Sequence, residues 1–74
     1  MNTELCQKLI RLIENYTLVQ LAGTNSEVRL HLAKVRIIEV RGMLQIAQRL
    51  PNAQALVQFL DQHHEFLEKE IAGR

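Results

Sequence analysis

Apolar residues recur along this chain at steps of three and four, and the recurrence breaks at only two places, Gly23 and Pro51. From about Thr3 to Ala22, the residues Leu5, Leu9, Leu12, Tyr16 and Val19 alternate steps of four and three, which lays them along one helical face. Cys6, Ile10, Ile13 and Leu21 widen that face. Gly23 stands where a helix C′ residue belongs. Thr24-Asn25-Ser26-Glu27 then has the form of a capping box, with Thr24 as N-cap and Glu27 three residues on.

The second segment runs from about Asn25 to Leu50, and as one helix it would be roughly 39 Å long at 1.5 Å per residue. Leu30, Ala33, Ile37, Val40, Leu44 and Ala47 keep a heptad over nearly three repeats, the pattern that seats one helix against another. Val28, Leu32, Val35, Met43, Ile46 and Leu50 form a second stripe on a separate arc, with Arg29, Arg36 and Glu39 projecting between the two. A helix with two apolar stripes needs two sets of partners. In a monomer these are the first and third segments; in an oligomer one stripe meets another chain. Extended structure competes here, because Val28-Arg29-Leu30-His31-Leu32 alternates and Val35, Ile37, Ile38 and Val40 are β-branched. A hairpin would need a turn near Ala33-Lys34, and neither residue favours one. Gly42 is awkward for a helix, costing ~1 kcal/mol against Ala, and marks a kink or a close helix crossing.

Pro51-Asn52 closes the second helix and opens the third, with Pro51 at or just before its first turn. Ala53, Leu56, Leu60, Leu67 and Ile71 form a stripe flanked by Phe59 and Phe66, with His63 in the middle of the apolar arc and His64 at its edge. Gln54, Gln58, Asp61, Gln62, Glu65, Glu68 and Lys69 make a wet face. These patterns predict one all-α domain over residues 1–74: a three-helix bundle, or a long helical hairpin plus a third helix, with helices at about 3–22, 25–50 and 52–71 and the middle one longest.

Composition narrows the function classes. With 74 residues the chain buries a modest share of its surface and its stability is marginal without a staple. Cys6 is the only cysteine, so no internal disulfide can form. Unusually good helix packing or oligomerisation, most simply a homodimer, is expected to supply the rest. The opening Met1-Asn2-Thr3-Glu4 has no basic n-region, and no apolar run of membrane-spanning length occurs, which points to the cytoplasm and away from a membrane. Nine Lys+Arg against eight Asp+Glu argue against a general polyanion binder. The charges are unevenly placed, however: Arg29, Lys34, Arg36, Arg41 and Arg49 dominate the middle segment, while Asp61, Glu65, Glu68 and Glu70 face only Lys69 in the third.

Little in the chain suggests catalysis or a cofactor. His64 and Glu68, four apart, have a spacing that can hold a metal, yet two ligands are too few, and a third would have to come from His31, Cys6 or another chain. Packing or interfacial roles are expected for His63 and His64, and ordinary semi-buried packing for Cys6. No Gly-rich phosphate loop occurs, and Ser26, the only serine, belongs to a helix start. Arg29 and Arg36 either cover apolar surface while reaching Glu14, Glu65 or Glu68, or anchor a protein interface. Lys34 and Arg41 project onto the polar side of the same helix. The chain therefore reads as a non-enzymatic protein-interaction module, an adaptor, chaperone-like or inhibitory regulator. It would use Arg29, Arg36, Val28, Leu32, Val35, Met43, Ile46 and Leu50 as its interface, with no metal and no cofactor. The alternative is a small nucleic-acid-binding regulator working through Arg29, Lys34, Arg36, Arg41 and Arg49, although the aromatic platform for stacking single strands is absent.

Overall fold

The computed structural model describes residues 2–22 and 25–73. Among them every regular element is a helix: α1 (Thr3–Ala22), α2 (Ser26–Ala47) and α3 (Gln54–Ala72). The fold is all-α, and the β-branched run of the middle segment is helical throughout. The lengths are 20, 22 and 19 residues, so the middle helix is the longest only by a small margin.

The difference arises at the second break. α2 stops at Ala47, short of the apolar pattern, because the N–H groups of Arg49 and Leu50 donate to the carbonyls three residues back, Ile46 and Ala47, and tighten the last turn. Asn52 adopts a left-handed conformation (φ 56°), which its short polar side chain tolerates better than most. Leu50 and Pro51 therefore lie in the turn, outside both helices, and Ala53 is the N-cap of α3 without a side-chain hydrogen bond.

The other helix starts are capped by asparagine. Asn2 Oδ1 accepts from the Leu5 N–H at 2.7 Å at the head of α1. Asn25 Oδ1 accepts from the Val28 N–H at 3.0 Å at the head of α2. Asn25 is thus the N-cap of α2, one residue later than the capping box assigns it; the proposed roles of Gly23 and Thr24 lie outside the described residues. Asn25→Ala should cost about 1 kcal/mol, read as a lowered urea midpoint with an unchanged slope.

Cross-helix pairs give the topology. Arg29 meets Glu70 and Arg41 meets His64, so α2 and α3 run antiparallel. Arg36 lies over Tyr16 and Thr17 meets His63, while Leu9 and Ile13, earlier in α1, lie beside Met43 and Ile46 and beside Leu56 and Leu60; α1 is therefore antiparallel to α2 and parallel to α3. The α2–α3 hairpin is the closer pairing, and α1 lies across both of its members. Fully buried Ala33 and Ala47 on α2, with Ala53 beside α3, have the small side chains that permit this approach. Ile37, Val40, Leu56, Leu60 and Leu67 fill the core, and Leu9, Ile10, Ile13, Met43, Leu44 and Ile71 pack against it. The heptad stripe of α2 faces inward. α2 also passes unbroken through Gly42, and a Cβ built there would meet nothing within 4 Å, so no close crossing within the chain requires this glycine.

α1 is turned differently from its leading stripe. Leu5, Leu12, Tyr16 and Val19 are exposed, whereas Cys6, Thr17 and Leu21 are buried and Ile10 and Ile13 half-buried. The inward set is the expected stripe displaced by one residue, a rotation of about 100°. In this orientation Thr17 is buried and hydrogen-bonded to His63, which satisfies its hydroxyl inside the bundle.

Candidate interaction surface

Three groups of side chains bear on function: the arginines of α2, the two histidines of α3, and the apolar residues left outside the core.

Arg29 and Arg36 are both engaged within the chain. Arg29 makes a two-pronged contact with Glu70, Nη2 donating to Oε1 at 2.7 Å and Nε to Oε2 at 3.1 Å. These hydrogen bonds, then the carboxylate charge, raise the Arg29 pKa above its ordinary value. Arg36 donates through Nη1 to Glu39, three residues along the same helix, and its guanidinium lies 4.7 Å from the centre of the Tyr16 ring. Its buried Nε meets no hydrogen-bond partner among the described residues. The acids met are thus Glu70 and Glu39, and not Glu14, Glu65 or Glu68. The antiparallel register of α2 and α3 puts the start of one beside the end of the other, and Glu39 is simply nearer to Arg36 than any acid on α1 or α3. Arg41 is exposed, as expected of the polar side, and it too has a partner. Its Nε donates to His64 Nε2 at 3.0 Å, while His64 Nδ1 donates to Glu68 Oε1 at 2.8 Å, so a nominally solvated residue helps tie α2 to α3.

His63 is buried where the apolar arc of α3 places it. It stacks between Phe59, with ring centroids 5.3 Å apart, and Phe66, at 6.0 Å, and its Nε2 is 3.0 Å from Thr17 Oγ1. Burial lowers its pKa below the usual histidine value, and the negative charge of Glu14 opposes that shift only in part. Among the described residues, no three His, Cys, Asp or Glu side chains come together as a metal site, and Cys6 is a buried free thiol.

The third group is the apolar residues left outside the core. Of the expected interface, Val28, Ile46 and Leu50 are exposed, while Leu32, Val35, Met43, Arg29 and Arg36 are half-buried. The structure brings Met43, Ile46 and Leu50 together with Leu9 and Ile13 of α1 and Leu56 and Leu60 of α3 around a groove of about 170 Å³ with an almost wholly apolar lining. The contact of Tyr16 with Arg36 shows that the exposed stripe of α1 lies on the same side of the molecule. Leu5, Leu12, Tyr16 and Val19 are the exposed apolar residues of this stripe, and Tyr16 is the one that reaches α2. Sequence periodicity had grouped these four correctly but turned them inward. It also passed over Ile38, the most exposed apolar residue of α2 at 66%. The available signal was its place four residues before Gly42 and eight before Ile46.

No helix among the described residues is long and apolar enough to cross a membrane. Compared with protein-family models, curated proteins and solved structures, the chain matches none.

Proposed function

We propose that this chain is a non-enzymatic, cytoplasmic protein-interaction module whose working surface is the apolar flank of α1 and α2, and that it acts by covering an amphipathic helix of its partner. The observation that carries this is the exposure of Leu5, Leu12, Tyr16 and Val19 on α1, Val28 and Ile46 on α2, and Leu50 in the turn that follows α2, with Ile46 and Leu50 lining the groove. Large apolar side chains left exposed in such number on a small domain mark an interaction surface. A helix laid along the flank would place anchors at steps of three and four into the groove, as helix-in-groove complexes do. The basic residues of α2 lend less support to nucleic-acid binding, because Arg29, Arg36 and Arg41 already have partners within the chain.

Photo-cross-linking residues introduced singly at Leu12, Val19 and Lys69 in the native host test this. Leu12 and Val19 should yield the same protein adduct and Lys69 none, and Leu5→Lys should abolish the adduct formed from Val19. Adducts formed equally from all three positions, or adducts to nucleic acid, would refute the proposed surface. Docking through apolar contact should also survive an increase in salt that strips phosphate-dominated complexes.

A further inference from the structure

We infer that the side of α2 facing away from the core is a second interface, specific for another copy of this chain, with the two helices crossing at Gly42. It extends the proposed interaction function by naming one partner; its row adjoins the flank above and shares Ile46 with it, while Ile38 and Gly42 lie outside that flank.

Three features of α2 lead there. Ile38 and Ile46 are 66% and 64% exposed, and with Gly42 midway they form a row at steps of four. Such rows are the ridges by which helices interdigitate, at crossing angles near −50°. The row also points outward, since the inward stripe of the helix is Ala33, Ile37, Val40 and Ala47. Gly42, finally, is unexplained by the isolated chain. Glycine is among the least favourable residues in a helix interior, and here a Cβ would meet nothing within 4 Å. A helix backbone seated directly on position 42 gives the missing reason for it.

The pattern around Gly42 favours a second copy over an unrelated helix. In a two-fold contact centred on this residue, each position before it faces the position equally far after it on the other copy. Ile38 then meets Ile46 of the partner subunit, and Glu39 meets Gln45 of the partner subunit, an acceptor facing an amide donor. Val35 meets the aliphatic stem of Arg49 of the partner subunit. No like charges are brought face to face, and the apolar pair occurs twice. The face is also small. One helix crossing buries less than the ~800 Å² per partner typical of a stable interface, so the dimer is weak, with a dissociation constant in the micromolar range.

Sedimentation equilibrium across low to high micromolar concentration tests this with four chains: wild type, Ile38→Lys, Gly42→Leu and Leu12→Lys. Wild type should dimerise reversibly. Ile38→Lys alters an exposed side chain, and Gly42→Leu fills open space with a better helix former, so both should fold with unchanged circular dichroism. Each should nevertheless weaken dimerisation at least tenfold. Gly42→Leu is the sharper variant, because it should preserve or raise monomer stability while it breaks the dimer. Leu12→Lys, on the α1 flank, should dimerise like wild type. A wild-type chain that stays monomeric throughout overturns the inference, and the cross-linking result at Leu12 and Val19 would stand independently of it. Dimerisation lost in Leu12→Lys but retained in Ile38→Lys and Gly42→Leu would also overturn it, moving self-association to the flank.

Discussion

Leu60→Ala is expected to lower stability by about 3 kcal/mol, whereas Leu12→Ala should change it by less than ~0.5 kcal/mol. The two leucines look alike in the sequence, each on the apolar stripe of an amphipathic helix. Leu60 is fully enclosed, and truncating it removes apolar burial and leaves a cavity that α2 and α3, already close at Ala33 and Ala47, can collapse into only partly. Leu12 is 66% exposed, so its methyl groups are already largely in water. For a domain of this length a loss of about 3 kcal/mol is a large share of the total stability and corresponds to a fall of roughly 12–24 °C in Tm. Thermal melts of the two variants at matched concentration read the difference directly. Equal losses, or a larger loss for Leu12→Ala, would show that α1 is rotated by one residue from the orientation described.

The second large effect is expected at His63, where stability should fall as the solution is acidified through the histidine range. Its folded-state pKa is lowered, chiefly by burial, with Glu14 opposing. In the unfolded chain it has the usual value of about 6.5. Above that pH the ring is neutral in both states and its contribution is fully present. Below it the unfolded chain takes up a proton that the folded chain resists, and stability declines until the pH has passed through the lowered folded value. The neighbours offer limited relief. Phe59 and Phe66 flank the ring, Thr17 meets one nitrogen, and Glu14 and Gln62 line the adjoining cleft. His63→Gln keeps a hydrogen-bonding side chain at this position without a titrating ring, and should flatten the decline in Tm between neutral and mildly acid pH. His63→Ala should cost about 2–4 kcal/mol at neutral pH, from the cavity and the orphaned Thr17 hydroxyl. A decline unchanged in His63→Gln would assign the acid sensitivity to another group.

Much of this structure is legible in the residues themselves. Three amphipathic periods give three helices, the heptad from Leu30 to Ala47 gives the inward face of α2, and the arc of α3 places His63 inside and Gln58, Asp61 and Glu65 outside. These features are local or nearly so, because the repeat of a helix fixes which of its residues share a face. Three things required the tertiary structure. The first is the rotation of α1, whose apolar residues cover so much of its circumference that either of two adjacent stripes could turn inward; in the orientation adopted, Thr17 is buried opposite His63 of α3. The second is the set of arginine partners, since the register of the hairpin brings Arg29 to Glu70 and Arg41 to His64, and that register depends on α2 ending at Ala47 and on the left-handed turn at Asn52. The third is the meaning of Gly42, which the sequence marks as unusual and the fold leaves open to solvent. Periodicity determines the faces of each helix; which face is buried is settled by the helices packed against it, and those contacts join residues far apart in the chain.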